Sequence, residues 1–233
     1  MIVINLQVSI LGRNTLSYIF LAVFAVSSLL HLYFSFRYIR KGRMITKPFL
    51  MLSLLLYYIS ASPDPKPILI AALVCCWIGD ILLMKTGDVW FLAGGSAFIA
   101  AHILLMIMFF RSDIPSGSSF FILAVIEGIY LCISAAVVRR IGSAPGGIIR
   151  ALMVMYLLIN SATNIFALSD LMSFPADGTA LAYAGAVLFF LSDCSLFLVM
   201  YCEDPPLVYR KNFTVMITYI FALLLIVAGD LAG

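Results

Sequence analysis

Apolar residues fill this chain in long runs, and polar or turn-forming residues interrupt them at near-regular intervals. Eight runs reach about 17–25 residues, the length that crosses a bilayer as an α-helix. They lie at 15–36, 47–62, 66–84, 90–110, 118–138, 148–169, 179–201 and 212–231. The breaks between them have their own chemistry. Ser60-Ala61-Ser62-Pro63-Asp64-Pro65-Lys66-Pro67 ends the second run, where prolines fix φ and remove backbone donors. Lys47-Pro48 reads as the opening of the second helix, a place where the missing N–H of proline costs nothing. Ser143-Ala144-Pro145-Gly146-Gly147 separates the fifth and sixth runs, and Glu203-Asp204-Pro205-Pro206 the seventh and eighth. The pattern predicts an all-α polytopic membrane protein: a bundle of eight transmembrane helices in one integral membrane domain, 1–233.

Composition agrees and excludes the ordinary alternatives. The chain is 64% hydrophobic and 11% charged, against roughly 25% charged in a soluble domain. Its mean hydropathy is +1.14. The +3 net charge carries less information than its distribution. Alternate connections, from the one after helix 1, hold Arg37, Arg40, Lys41, Arg43, Lys47, Lys85, Arg139, Arg140, Arg150, Arg210 and Lys211; the other side holds Arg13, Lys66 and Arg111. The positive-inside rule then places both termini away from the cytoplasm and is satisfied by an even helix count. Arg13 precedes the first apolar run and the larger basic cluster follows it, so an uncleaved first helix is expected rather than a signal peptide. A bacterial inner (plasma) membrane is the expected location. The basic connections need be no more than a topology signal, and no nucleic-acid partner is expected.

Against this background the ionisable residues inside apolar runs stand out. Asp80 and Asp193 are embedded in the third and seventh runs, with His102 in the fourth and Glu127 in the fifth. A carboxylate near the bilayer centre costs roughly 2.5–3.5 kcal/mol on insertion scales. Such residues persist where they face a cavity and act. From the basic end of the bundle the four lie roughly 6–18 Å deep, so all four can line one cavity open to that side. Tyr156 and Asn160 share a helical face at similar depth, and Asn164 extends it. Each has a structural alternative: an interfacial position for Asp80, a packing hydrogen bond for His102, a pairing with a polar neighbour for Glu127, and inter-helical hydrogen bonds for Tyr156 and Asn160. His31, near the basic end of helix 1, reads as interfacial.

Other chemistries have little support. The two histidines have no metal-ligand spacing, although Asp80, His102 and Asp193 together could hold a divalent ion. Gly94-Gly95-Ser96-Ala97-Phe98 lacks the second glycine of a nucleophile elbow and reads as a small-residue packing face. The five cysteines form no Cys-x-x-Cys pair and read as small packing residues. A faint repeat relates Gly79-Asp80 to Ser192-Asp193; four helices lie between them, so a parallel four-plus-four duplication would bring the two aspartates together.

Gly79-Asp80 through Leu83-Met84, then Phe91, Gly94, Phe98 and Ala101-His102, form a recognisable series. With Phe190-Leu191-Ser192-Asp193 and Lys47-Pro48, it resembles the YhhN family of lysoplasmalogenase-like integral membrane proteins. The resemblance extends over nearly the whole chain in length and helix count. One position departs from the family pattern: a tyrosine is expected three residues after the Ala-His pair, where this chain has Leu105. The resemblance implies hydrolysis of the vinyl-ether bond of lysoplasmalogens, lysoplasmenyl-ethanolamine or -choline. The products are a fatty aldehyde and a glycerophospho-head group. Vinyl ethers hydrolyse by protonation at the β-carbon and capture of an oxocarbenium ion by water, a demand that paired carboxyl groups meet in glycosidases. Asp80, Asp193 and His102 are therefore the catalytic candidates, and Lys47, Glu127, Tyr156 and Asn160 the substrate-binding ones. No cofactor and no metal are expected; the partners are a lysophospholipid substrate and membrane lipid. Without the resemblance the residues slightly favour a proton-coupled transporter, with Asp, His and Glu as its relay, over hydrolysis.

Overall fold

A computed structural model describes residues 2–110, 117–142, 145–202 and 207–233, with side chains from Thr15 onward. Arg111, Ser143-Ala144 and Glu203-Asp204-Pro205-Pro206 lie outside the described residues, as does the side chain of Arg13. The described residues form eight helices: α1 (Ile2–Phe36), α2 (Arg40–Ala61), α3 (Pro67–Leu82), α4 (Asp88–Phe109), α5 (Ser118–Ile141), α6 (Gly147–Ser173), α7 (Asp177–Tyr201) and α8 (Asn212–Ala232). Seven are long and apolar enough to cross a membrane; α3 is apolar but has 16 residues, about 24 Å of helix. The chain is an all-helical integral membrane protein.

Two expected starts lie too late: α1 extends back to Ile2 rather than opening at 15, and α2 opens well before 47. α2 begins at Arg40, and Pro48 lies inside it rather than at its opening. The basic run 40–47 looked like a connection because charge is excluded from lipid. Here Arg40, Arg43, Met44 and Lys47 instead share a helical face that lines a cavity. The reversal from α1 is correspondingly tight. Tyr38 takes a φ of 58°, and the Phe34 ring lies where a side chain on residue 42 would sit, so only glycine fits there. Pro48 costs α2 the hydrogen bond that residue 48 would donate to Met44. Its own carbonyl accepts the Trp77 indole N–H at 3.0 Å, which ties α3 to α2.

Small residues set the closest helix approaches. A Cβ on Gly94 would come within 2.7 Å of Leu83 and 3.3 Å of the Gly79 carbonyl, so α3 and α4 pack backbone to backbone. Gly178 against Gly229, and Gly185 against Ala222, do the same for α7 and α8. Packing pairs recur in the two halves: α1–α2 with α5–α6, α3–α4 with α7–α8, α2–α3 with α6–α7, and α4–α6 with α8–α2. The α1–α8 and α5–α7 contacts have no counterpart. Among the described residues α5 stands at the edge and packs on α6 and α7 alone.

Candidate active site

Asp80 and Asp193 line the same cavity, of about 320 Å³, at the basic end of the bundle. They are 2% and 4% exposed. Each is reached by a different set of donors. Asp80, near the end of α3, accepts the Lys47 ammonium of α2 on Oδ1 at 2.9 Å and the Tyr219 hydroxyl of α8 on Oδ2 at 2.9 Å. Asp193, on α7, accepts on Oδ2 alone: from Asn160 Nδ2 at 2.7 Å and the Tyr156 hydroxyl at 2.8 Å, with His102 Nε2 at 3.2 Å. A second rank of polar groups supports that oxygen. Tyr130 donates to Asn164 Oδ1, and Asn164 Nδ2 donates to Asn160 Oδ1. Every donor in this chain points toward Asp193, so each bond polarises the next.

His102 engages its neighbours through one ring nitrogen. Its Nδ1 is buried without a partner, while Nε2 lies 3.2 Å from Asp193 Oδ2 and 3.3 Å from the Tyr156 hydroxyl. The ring packs on Phe189, with centroids 4.5 Å apart, and edge-on to Tyr156 at 5.4 Å.

The cavity is amphipathic. Arg40, Arg43, Lys47 and His31 make one side polar, while Leu83, Met84, Leu196, Met200 and Met216 make the other apolar. Its inner end is closed by aromatic packing. Phe98 and Tyr219 line it and meet Phe189 edge to face at 6.3 and 5.5 Å, one turn of α7 below Asp193.

The expected residues thus separate. Asp80, Asp193 and Lys47 line the cavity, with Lys47 engaged by Asp80. His102, Tyr156 and Asn160 surround Asp193 from behind and are not among the lining residues. Glu127 is elsewhere: half-buried on the edge helix α5, it accepts the Ser161 hydroxyl at 2.9 Å and does not line the cavity. α5 packs on α6 and α7 and contributes no residue to the lining of the cavity, so its mid-depth carboxylate meets Ser161 of α6 instead. His31 is not interfacial but 1% exposed. Its Nδ1 contacts Thr46 Oγ1 at 2.8 Å, and since that hydroxyl donates to the Gly42 carbonyl, His31 is the donor. Leu105, where the family pattern has tyrosine, is buried in the core away from the cavity.

Sequence reasoning passed over Tyr219 and Arg40 as site residues, and took His31 for an interfacial one. Tyr219 had a usable signal, a hydroxyl in the middle of an apolar helix that needs a buried partner. Arg40 carried none beyond its membership of a basic run.

The YhhN family pattern matches residues 42–229, most of the chain and every residue of the carboxylate site. The chain belongs to the YhhN family. No curated protein and no solved structure matches it. As a YhhN-family protein it places Gly79-Asp80 and Ser192-Asp193 on facing helices of one cavity. Gly79 lets the Gly94 carbonyl approach, and Ser192 donates to the Val215 carbonyl at 3.0 Å.

Proposed function

We propose that this YhhN-family protein is a lysoplasmalogenase, which hydrolyses the vinyl-ether bond of lysoplasmenyl-ethanolamine or -choline to a fatty aldehyde and a glycerophospho-head group. The observation that carries the reading is the pair of buried aspartates on one amphipathic cavity, one held by a cation and the other by neutral donors.

That difference divides the labour. Asp80 has both oxygens occupied, one by Lys47, and serves as the fixed anion. Among the described residues Asp193 has no lysine or arginine partner, and its donors all fall on Oδ2. A lone buried charge is costly, so Asp193 carries a proton on Oδ1, toward the cavity, and is the acid. The step balances as follows. The Asp193 proton adds to the β-carbon as the C=C electron pair forms the new C–H bond. The oxocarbenium ion forms facing the Asp80 carboxylate. Water adds to the α-carbon and its proton returns to Asp193. The hemiacetal then breaks to aldehyde and alcohol, so one water is consumed per bond cleaved. The donors on Oδ2 hold the Asp193 carboxylate in its deprotonated interval.

Proton-coupled transport is the competing reading. A carrier needs a polar path through the bundle, and the packed rings of Phe98, Phe189 and Tyr219 favour a closed pocket instead. The four-plus-four duplication belongs to this reading of the site too. The step along the chain from Lys47 to Asn160 equals the step from Asp80 to Asp193, so each aspartate takes a donor from the equivalent place on α2 or α6. The test of function is direct: purified protein and lysoplasmenyl-ethanolamine, with aldehyde measured. Release that depends on both aspartates supports the hydrolase; no aldehyde from folded protein overturns it.

A further inference from the structure

α2 presents Arg40, Arg43 and Lys47 to the cavity from successive turns. Lys47 is neutralised by Asp80 at 2.9 Å. The two arginines are not neutralised: among the described residues neither forms an ion pair or donates a side-chain hydrogen bond. Arg43 Nε is buried with no acceptor, and Arg40 lines the same cavity about one helical turn away. A buried idle guanidinium donor is unfavourable unless an acceptor completes it, and the exposed Arg40 beside it offers a second guanidinium to the same ligand. Guanidinium forks match the oxygens of a phosphate. Asn212, which opens α8, adds an amide to the same rim.

We propose that Arg40 and Arg43 form the binding site for the phosphate of a single-chain ether lipid, and that the cavity recognises this phosphate rather than the amine beyond it. The assignment rests on the hydrolase reading for the identity of the lipid, but the site is testable without turnover. Its geometry suits the reaction. Arg43 lies one helical turn, about 5.4 Å, nearer the end of the bundle than Lys47, whose ammonium touches Asp80. The three-carbon glycerol backbone bridges a comparable span between phosphate and vinyl ether. A phosphate on the arginines therefore delivers the reactive bond to the aspartates and the chain to the methionine-lined wall. The carboxylates lining the cavity are Asp80 and Asp193, both committed. Ethanolamine and choline thus meet no anionic partner among the described residues, and the bare glycerophosphate lipid should bind as well as either.

The test uses saturated-ether lipids, which have no vinyl bond to cleave, with full-length protein in detergent and calorimetric titration. Hexadecylglycerophosphate and hexadecylglycerophosphoethanolamine should bind within about threefold of each other, and uncharged hexadecylglycerol about tenfold or more weaker, the scale of charge-assisted contacts. Arg40→Gln with Arg43→Gln should abolish that preference while leaving hexadecylglycerol binding unchanged. Arg43→Lys, which keeps the charge but loses the fork, should retain part of it. Arg139→Gln, a basic residue outside the cavity, is the control for general attraction and should change nothing. Equal binding of all three lipids by the wild type overturns the site. So does a phosphate preference that survives in the glutamine variant, is undiminished in Arg43→Lys, or is lost equally in Arg139→Gln. Inorganic phosphate binding as tightly as the lipids would assign the arginines to a free anion instead. If the vinyl-ether lipid yields no aldehyde while these preferences hold, the hydrolase reading fails and the phosphate site stands.

Discussion

Replacing Lys47 with methionine keeps a long side chain in place and deletes the charge facing Asp80. Asp80 is then a buried carboxylate with the Tyr219 hydroxyl as its one remaining donor. Breaking a buried pair from one side costs about 3–5 kcal/mol. The Lys47 side chain is 19% exposed and that of Asp80 3%, so partial solvation of the lysine brings the expected loss to about 2–3 kcal/mol. Asp80→Asn on the same background removes the stranded charge and should recover most of that loss. The four proteins of this cycle, unfolded by denaturant in mixed micelles, should give a coupling of about 2 kcal/mol between positions 47 and 80. Activity provides a second axis. Lys47→Met should release little aldehyde, because Asp80 relieves its isolation by taking a proton and is no longer the anion of the pair. The double variant should be stable and equally inactive. Changes that add to within about 0.5 kcal/mol, or a stable and fully active Lys47→Met protein, would show that Lys47 does not hold Asp80 in its charged form.

Asp80→Asn and Asp193→Asn should each cut turnover by about 10² or more, and the double change should cost little beyond the worse single one because the pair acts as a unit. His102→Ala should cost less than Asp193→Asn, and infrared spectra should show a protonated-carboxyl stretch that vanishes in Asp193→Asn and persists in Asp80→Asn; the reverse would exchange their roles. Gly229→Ala drives a Cβ to 2.5 Å from the Gly178 carbonyl and 2.8 Å from the Ala182 nitrogen, both backbone atoms that cannot yield, whereas Gly128 on α5 has nothing within 4 Å; thermal unfolding should show the first strongly destabilised and Gly128→Ala changed by about 1 kcal/mol or less, and equal responses would discredit the α7–α8 contact. A reporter active only in the cytoplasm should stay silent when fused to the C-terminus and give signal when inserted after Arg37; signal from the C-terminal fusion would invert the assigned topology.

The sequence by itself determined the class of the protein and marked the ionisable residues inside its spans. Lipid accepts only apolar side chains and internally bonded backbone, so the spans are written in run length. The same cost makes Asp80, Asp193 and His102 conspicuous wherever the helices pack. The tertiary structure decided what those residues do for one another. Lys47 meets Asp80, and Tyr156 and Asn160 meet Asp193, because α2 docks on α3 and α6 on α7. No local pattern encodes which faces of two distant helices will meet. It decided as well that Glu127 belongs to the edge helix, that His31 turns inward to Thr46, and that the basic run before Pro48 is helix. In each case polarity was legible along the chain, but its meaning depended on whether the space beside it was lipid, a neighbouring helix or a cavity, and only packing creates that space.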